Sequence, residues 1–257
     1  MIVRHFERMG ARSVVTEHAT PSGLRADVRR RGRTEWFDLQ VGRQAELRVV
    51  DVRPKLQHLL LLGIDGNGQK NKFLCGHDER EWFVAGVPND RGVSGVRTAL
   101  DALKPLEVRQ AEIRKRVREK NRVRRRNEAS VRQGEWFFVP QPGLGADPRM
   151  ILRHEPLRRT GGTPHMVDEA IRTGGEPVYV CRLWPNGLPL ARYRRLIEER
   201  PRLKAESWTV QRRNAAVFVR GNVRHPDHAT IRLQNWHLVM MNTEHKAPSM
   251  RHVAFID

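Results

Sequence analysis

The chain has 257 residues, 39% of them hydrophobic and 30% charged, and carries a formal net charge of +19. Its apolar content supplies a core for one large domain or two small ones and excludes a disordered chain. The longest apolar run, Leu59-Leu60-Leu61-Leu62, is too short to span a bilayer, and a charge surplus of this size points to a polyanionic partner, nucleic acid before an anionic membrane surface.

Two cysteines, Cys75 and Cys181, and the lack of an apolar leader in residues 1–10 predict free thiols and a cytoplasmic location. Residues 1–9 read as a short helix ended by Gly10. From Arg12 to Val87 the pattern is strand-like, with Val49–Val52 and Leu59–Ile64 rich in β-formers. Asp65-Gly66-Asn67-Gly68 predicts a tight hairpin turn leading to Lys72–Cys75.

Ser94–Leu103 reads as a helix capped by Ser94, with Val96, Leu100 and Leu103 on one face. Pro105 interrupts or restarts it. Leu106–Ala129 has no Gly or Pro and predicts a helix with a narrow apolar stripe that lies on a surface or projects from it. Strand signals return at Gly134–Pro140. Met166–Arg172 reads as a short helix and Val178–Leu183 as a strand with a turn at Asn186-Gly187. Leu190–Glu199 reads as a helix that stops before Pro201. Val217–Val219, Thr230–Leu233, Trp236–Met241 and Val253–Ile256 read as strands. The tripeptide Glu-Trp-Phe recurs at Glu35, Glu81 and Glu135, marking either a repeated β-unit or the strand preference of aromatic residues.

The organisation expected is α+β. Two β-rich lobes of mainly antiparallel strands, residues 1–92 and 133–257, flank a central basic helix in residues 93–132, and the second lobe is itself α+β.

The most informative segment for function is Lys104–Arg132, with twelve cations against four acids. Each phosphate neutralised by such a segment releases condensed counterions, and Arg grips phosphate or guanine edges bidentately. Arg114, Lys115, Arg116, Arg118, Lys120, Arg122, Arg124, Arg125 and Arg126 are the expected phosphate contacts, on RNA in preference to DNA. A solvated helix laced with pairs such as Glu112–Arg116 is the bland alternative. Like charges at Lys120–Arg124 and Arg122–Arg126 weaken the helix there, so Lys120–Asn127 is expected to be only weakly helical in the free protein and to gain order when phosphates neutralise it. Arg192–Arg195 reads as the solvent face of an amphipathic helix.

No catalytic signature is present. His225-Pro226-Asp227-His228, with His237 across a hairpin, has the residue types for a divalent metal site or for acid–base work on a phosphodiester, with Asp227 or Glu244 assisting. The same residues suit a polar turn. Cys75-Gly76-His77-Asp78-Glu79 reads as a buried thiol and a charged turn, or as two soft ligands with a carboxylate orienting the His. His154–Arg159 and Gly161–His165 form a loop able to approach an anion. Three functions follow as expectations: a nucleic-acid-binding protein, a metal-assisted nuclease using the same basic segment, and a subunit of a ribonucleoprotein assembly.

Overall fold

The computed structural model describes residues 2–88, 92–158 and 163–244. Helix α1 (Ile2–Arg8) leads into β1 (Ser13–Glu17), β2 (Leu24–Arg31) and β3 (Thr34–Val41). These form a three-stranded sheet in the order β1-β3-β2, with β1 parallel to β3. An antiparallel four-stranded sheet follows: β4 (Glu46–Arg53), β5 (His58–Ile64), β6 (Lys70–Asp78) and β7 (Glu81–Val87). The β5–β6 turn forms where Asp-Gly-Asn-Gly places it. Asp65 Oδ1 accepts from the backbone N–H of Asn67 and Gln69, and Gly68 takes φ +78°, a conformation that costs glycine little. The two sheets share a core built on Phe6, Phe37, Leu59, Leu61 and Phe73.

Helix α2 (Val96–Ala102) packs Val96, Ala99 and Ala102 on the other face of the four-stranded sheet, against Leu60 and Leu74. Its start is set by Thr98 Oγ1, which accepts from the Ser94 and Gly95 N–H groups, and by Asp51, which accepts from the Val96 N–H. Ser94 is not the cap.

The long basic helix does not form. In its place stand α3 (Leu106–Arg114), the one-turn α4 (Glu119–Arg122) and a tight turn. Arg116 adopts φ +50° and ends the first piece. Asn127 Oδ1 accepts from the Ala129 and Ser130 N–H groups, and Arg126 bridges to Val131. Burial decides this. Val108, Ala111, Val117 and Ala129 pack with Phe137 and Val139, and burying one Val side chain contributes about 1.5–3 kcal/mol, more than the tenths of a kcal/mol at stake in helical charge pairs. Glu112 pairs with Lys104 rather than Arg116. The Lys104 Nζ donates to both Glu112 oxygens, at 2.9 and 3.0 Å, and to Asp101 at 2.7 Å. Lys120–Asn127 therefore lies folded on the body.

The rest of the chain is β. The strands are β8 (Val131–Gln133), β9 (Trp136–Pro140), β10 (Leu152–Leu157), β11 (His165–Thr173), β12 (Glu176–Cys181), β13 (Trp184–Pro189), β14 (Thr209–Arg213), β15 (Ala216–His225) and β16 (His228–Met241), with α5 (Leu190–Glu199) after β13. Six of them form one antiparallel sheet in the order β10-β11-β15-β16-β9-β8, while β13-β12-β14 form a small fourth sheet. The fold is thus mostly β, four sheets with five short helices among the described residues, and not an α+β arrangement about a central helix. Residues 166–172 belong to strand β11, and Thr230–Leu233 and Trp236–Met241 are one strand. The segment 253–256 lies outside the described residues. The three Glu-Trp-Phe copies each stand at or near a strand start, in three different sheets. Cys75 and Cys181 are free and buried. No helix among the described residues is long and apolar enough to cross a membrane.

Candidate metal centre

Strands β15 and β16 are joined by the two-residue turn Pro226-Asp227, so His225 and His228 face each other as a cross-strand pair. On the other side of β15, strand β11 begins at His165, and Met166 pairs with Arg224. The sheet thereby brings a third imidazole to the pair. Ring centroids lie 4.2 Å apart for His165–His225, 5.4 Å for His165–His228 and 4.9 Å for His225–His228. One nitrogen from each ring falls within 4.8 Å of the other two.

Two ring nitrogens of the cluster are orphans. His165 Nε2 and His228 Nδ1 are buried without a hydrogen-bond partner, an arrangement that costs on the order of 1–3 kcal/mol per group unless something occupies it. His225 is held by its neighbours: its Nδ1 accepts from the Asp227 N–H at 3.2 Å, and its Nε2 lies 3.1 Å from the Thr163 carbonyl. Burial, reinforced by His225 and His228, pushes the His165 pKa down to about 3. Burial likewise lowers His228. Both rings are neutral at pH 7, the form that offers a lone pair to a cation. A tetrahedral ion at Zn–N distances near 2.0–2.1 Å holds its ligand nitrogens about 3.4 Å apart. Binding would draw the three nitrogens together and displace the bond from His225 to Thr163.

The surrounding shell comes from elsewhere in the chain. The β6–β7 turn, Asp78–Arg80, docks on the β15–β16 turn, and Arg80 donates to the Pro226 carbonyl at 2.9 Å. At the turn apex Glu79 takes φ +56°. Its Oε2 accepts from the Ala229 N–H and sits 3.8 Å from His228 Nδ1, while Oε1 pairs with Arg125 at 2.5 Å. Arg125 also pairs with Asp78, which holds Arg132 at 3.3 Å. Gly134 completes the wall with φ +56°. A Cβ there would lie 2.8 Å from His228 Nε2 and 3.4 Å from His165 Nε2. A carboxylate beside the distal nitrogen of a metal-binding His fixes its tautomer and orientation, typically worth 10–100-fold in affinity. Glu79→Gln is accordingly expected to weaken metal binding by about that factor, measured by competition with a chromophoric chelator.

The site differs from the sequence expectation at one ligand. His237 is not part of it. It is buried further along β16, opposite Val219 and Pro140, with Nδ1 bonded to the Asn235 carbonyl at 2.7 Å. His165 takes its place. The 75–79 cluster also resolves differently: Cys75 is core, its thiol pKa pushed up by burial, and His77 packs edge-on against Trp82. A carboxylate of that turn does approach an imidazole, Glu79 on His228 rather than a partner on His77. Arg159, Gly161 and Gly162 of the proposed anion loop, and His245, lie outside the described residues.

Of the nine basic residues singled out, Arg114, Lys115, Arg116, Arg118, Lys120, Arg124 and Arg126 are exposed. Arg125 is instead spent on Asp78 and Glu79, and Arg122 donates from Nε to the Val117 carbonyl at 3.2 Å. Arg122, Arg124 and Arg132 line a cleft of about 280 Å³ whose other lining residues include Gly134 and His228. The folded basic segment and His228 of the histidine cluster thus line one cavity. Comparison with protein-family models, with curated proteins and with solved structures finds no match to this chain.

Proposed function

We propose that the chain is a metal-dependent phosphodiesterase acting on nucleic acid, with His165, His225 and His228 as ligands of one divalent ion. The observation that carries this reading is the shared cleft, where cations suited to phosphate stand beside His228. Three imidazoles with an open fourth position are the ligand pattern of catalytic rather than structural zinc. An ion so held supplies a Lewis acid and an acidified water. The chain's own residues do the rest: Arg122 and Arg124 hold phosphate oxygens at the cleft, and Glu79 keeps His228 oriented. Metal analysis of purified protein is expected to find about one equivalent of divalent ion, and nucleic-acid cleavage is expected to stop on chelation and return with the ion. Metal-free protein that cannot be loaded, or cleavage indifferent to chelator, overturns the reading.

A second reading, nucleic-acid binding without cleavage, alone or within a ribonucleoprotein, is favoured by the seven exposed cations between Arg114 and Arg126. RNA is the expected partner. Changing Arg114, Lys115, Arg116 and Arg118 to Gln is expected to flatten the slope of log K against log salt by up to about 0.7–0.9 per lost phosphate contact. An unchanged slope removes this segment from the interface.

A further inference from the structure

We infer that the cleft beside the histidine centre receives one unstacked nucleobase, which makes single-stranded nucleic acid the preferred substrate. This rests on the phosphodiesterase reading and adds the substrate class to it.

The cleft lies between the four-stranded sheet and the six-stranded one, and both contribute an aromatic residue to its lining: Phe83 from β7 and Phe137 from β9. Leu100 and Leu103 extend the apolar lining. At about 280 Å³ it falls just short of the usual range of small-molecule sites, with room for one ring system and its sugar but not for a base pair. A purely apolar occupant does not fit the charge. Among the lining acids, Asp78 is held by Arg125 and Arg132, and Glu81 by Arg30 at 2.9 Å. The lining Lys104 is neutralised by Glu112. Arg124, exposed, and Arg122 are the lining cations not committed to an acid in these pairs. Glu135 and the buried Glu244 are the remaining lining acids, and a carboxylate is the kind of acceptor that receives an exocyclic amino group. A flat ring carrying an anion, with an amino group on the ring edge, matches all three features, and a nucleotide is that molecule. His228 lines the same cleft, so a base seated there carries its phosphate towards the metal ligands. A duplex must unpair and unstack a base to present it this way, and a single strand need not.

The test is binding of adenosine 5′-monophosphate against ribose 5-phosphate to zinc-loaded wild-type protein, by calorimetry, with oligonucleotide cleavage alongside. The nucleotide is expected to bind at least tenfold more tightly than the sugar phosphate. A single-stranded oligonucleotide is expected to be cleaved at least tenfold faster than its duplex. Leu100→Trp, which fills the cleft from α2, is expected to reduce the nucleotide to the affinity of the sugar phosphate while about one equivalent of zinc stays bound. Arg124→Gln, an exposed change, is expected to weaken both ligands alike. Equal binding of the two ligands by wild-type protein that binds zinc and cleaves nucleic acid overturns the inference alone. Preferential nucleotide binding by a protein that neither holds zinc nor cleaves upholds the base site and overturns the phosphodiesterase.

Discussion

Replacing Glu112 with Ala is expected to destabilise the protein by about 3–5 kcal/mol, the usual cost of breaking a buried pair by removing one partner. The Lys104 and Glu112 side chains are only 5% and 4% exposed, so Lys104 has little water to turn to. Asp101 remains as a partner at 2.7 Å, with a side chain 44% exposed, which places the loss toward the lower end. Asn127 loses a partner as well, since its Nδ2 donates to Glu112 at 3.2 Å. Glu112, on α3, thereby joins Lys104 at the start of the helix to the Asn127 turn that folds the basic segment back, so the damage centres on the cleft wall. Denaturant unfolding of the variant beside Glu107→Ala, an exposed change expected to stay within about 0.5 kcal/mol, gives the comparison. A loss below 1 kcal/mol for Glu112→Ala would mean that the segment does not depend on this pair.

Metal-free protein is expected to lose stability steadily as pH falls below about 6.5. Burial and its two neighbouring imidazoles hold the His165 pKa at about 3, against roughly 6.5 in an unfolded chain. Between these values the unfolded chain binds a proton that the folded chain does not. Stability therefore rises with pH through the window and is fully present above it, with a slope for this one group of up to about 1.4 kcal/mol per unit. His58, His228 and His237, also lowered chiefly by burial, act in the same direction. His165→Phe keeps a flat ring beside His225 and removes the titration. Its stability, followed by chemical denaturation from pH 7 to 5, is expected to fall less steeply than that of the wild type. Parallel slopes would show that His165 is protonated as readily in the fold as outside it.

Local chemistry was legible where one short segment settles the outcome. The Asp-Gly-Asn-Gly turn and helix α5, bounded by Pro189 and Pro201, stand where residue type alone puts them. Strand β11 carries a helix-like pattern for a definable reason. Val167, Ala170 and Ile171 are buried at helical spacing because a bulge between Val167 and Glu169 shifts the register and breaks the alternation of a regular strand. The path of the basic segment is hidden in the sequence because its charges outnumber the few side chains that decide it, Val117, Ala129 and Glu112. The candidate metal centre is half legible in the sequence. His225 and His228 announce themselves by proximity in sequence. His165 and Glu79 do not, since only the pairing of β11 with β15 and the docking of the β6–β7 turn bring them in.

Titration of metal-free protein with Co²⁺, followed by visible absorption, tests the three-histidine centre most directly. About one equivalent is expected to bind with the strong absorption of a four-coordinate ion. That signal is expected to vanish in His165→Ala and to survive in His237→Ala, which removes a buried imidazole outside the cluster. A spectrum unchanged by His165→Ala, or lost in His237→Ala while that variant remains folded, would contradict a centre built from His165, His225 and His228.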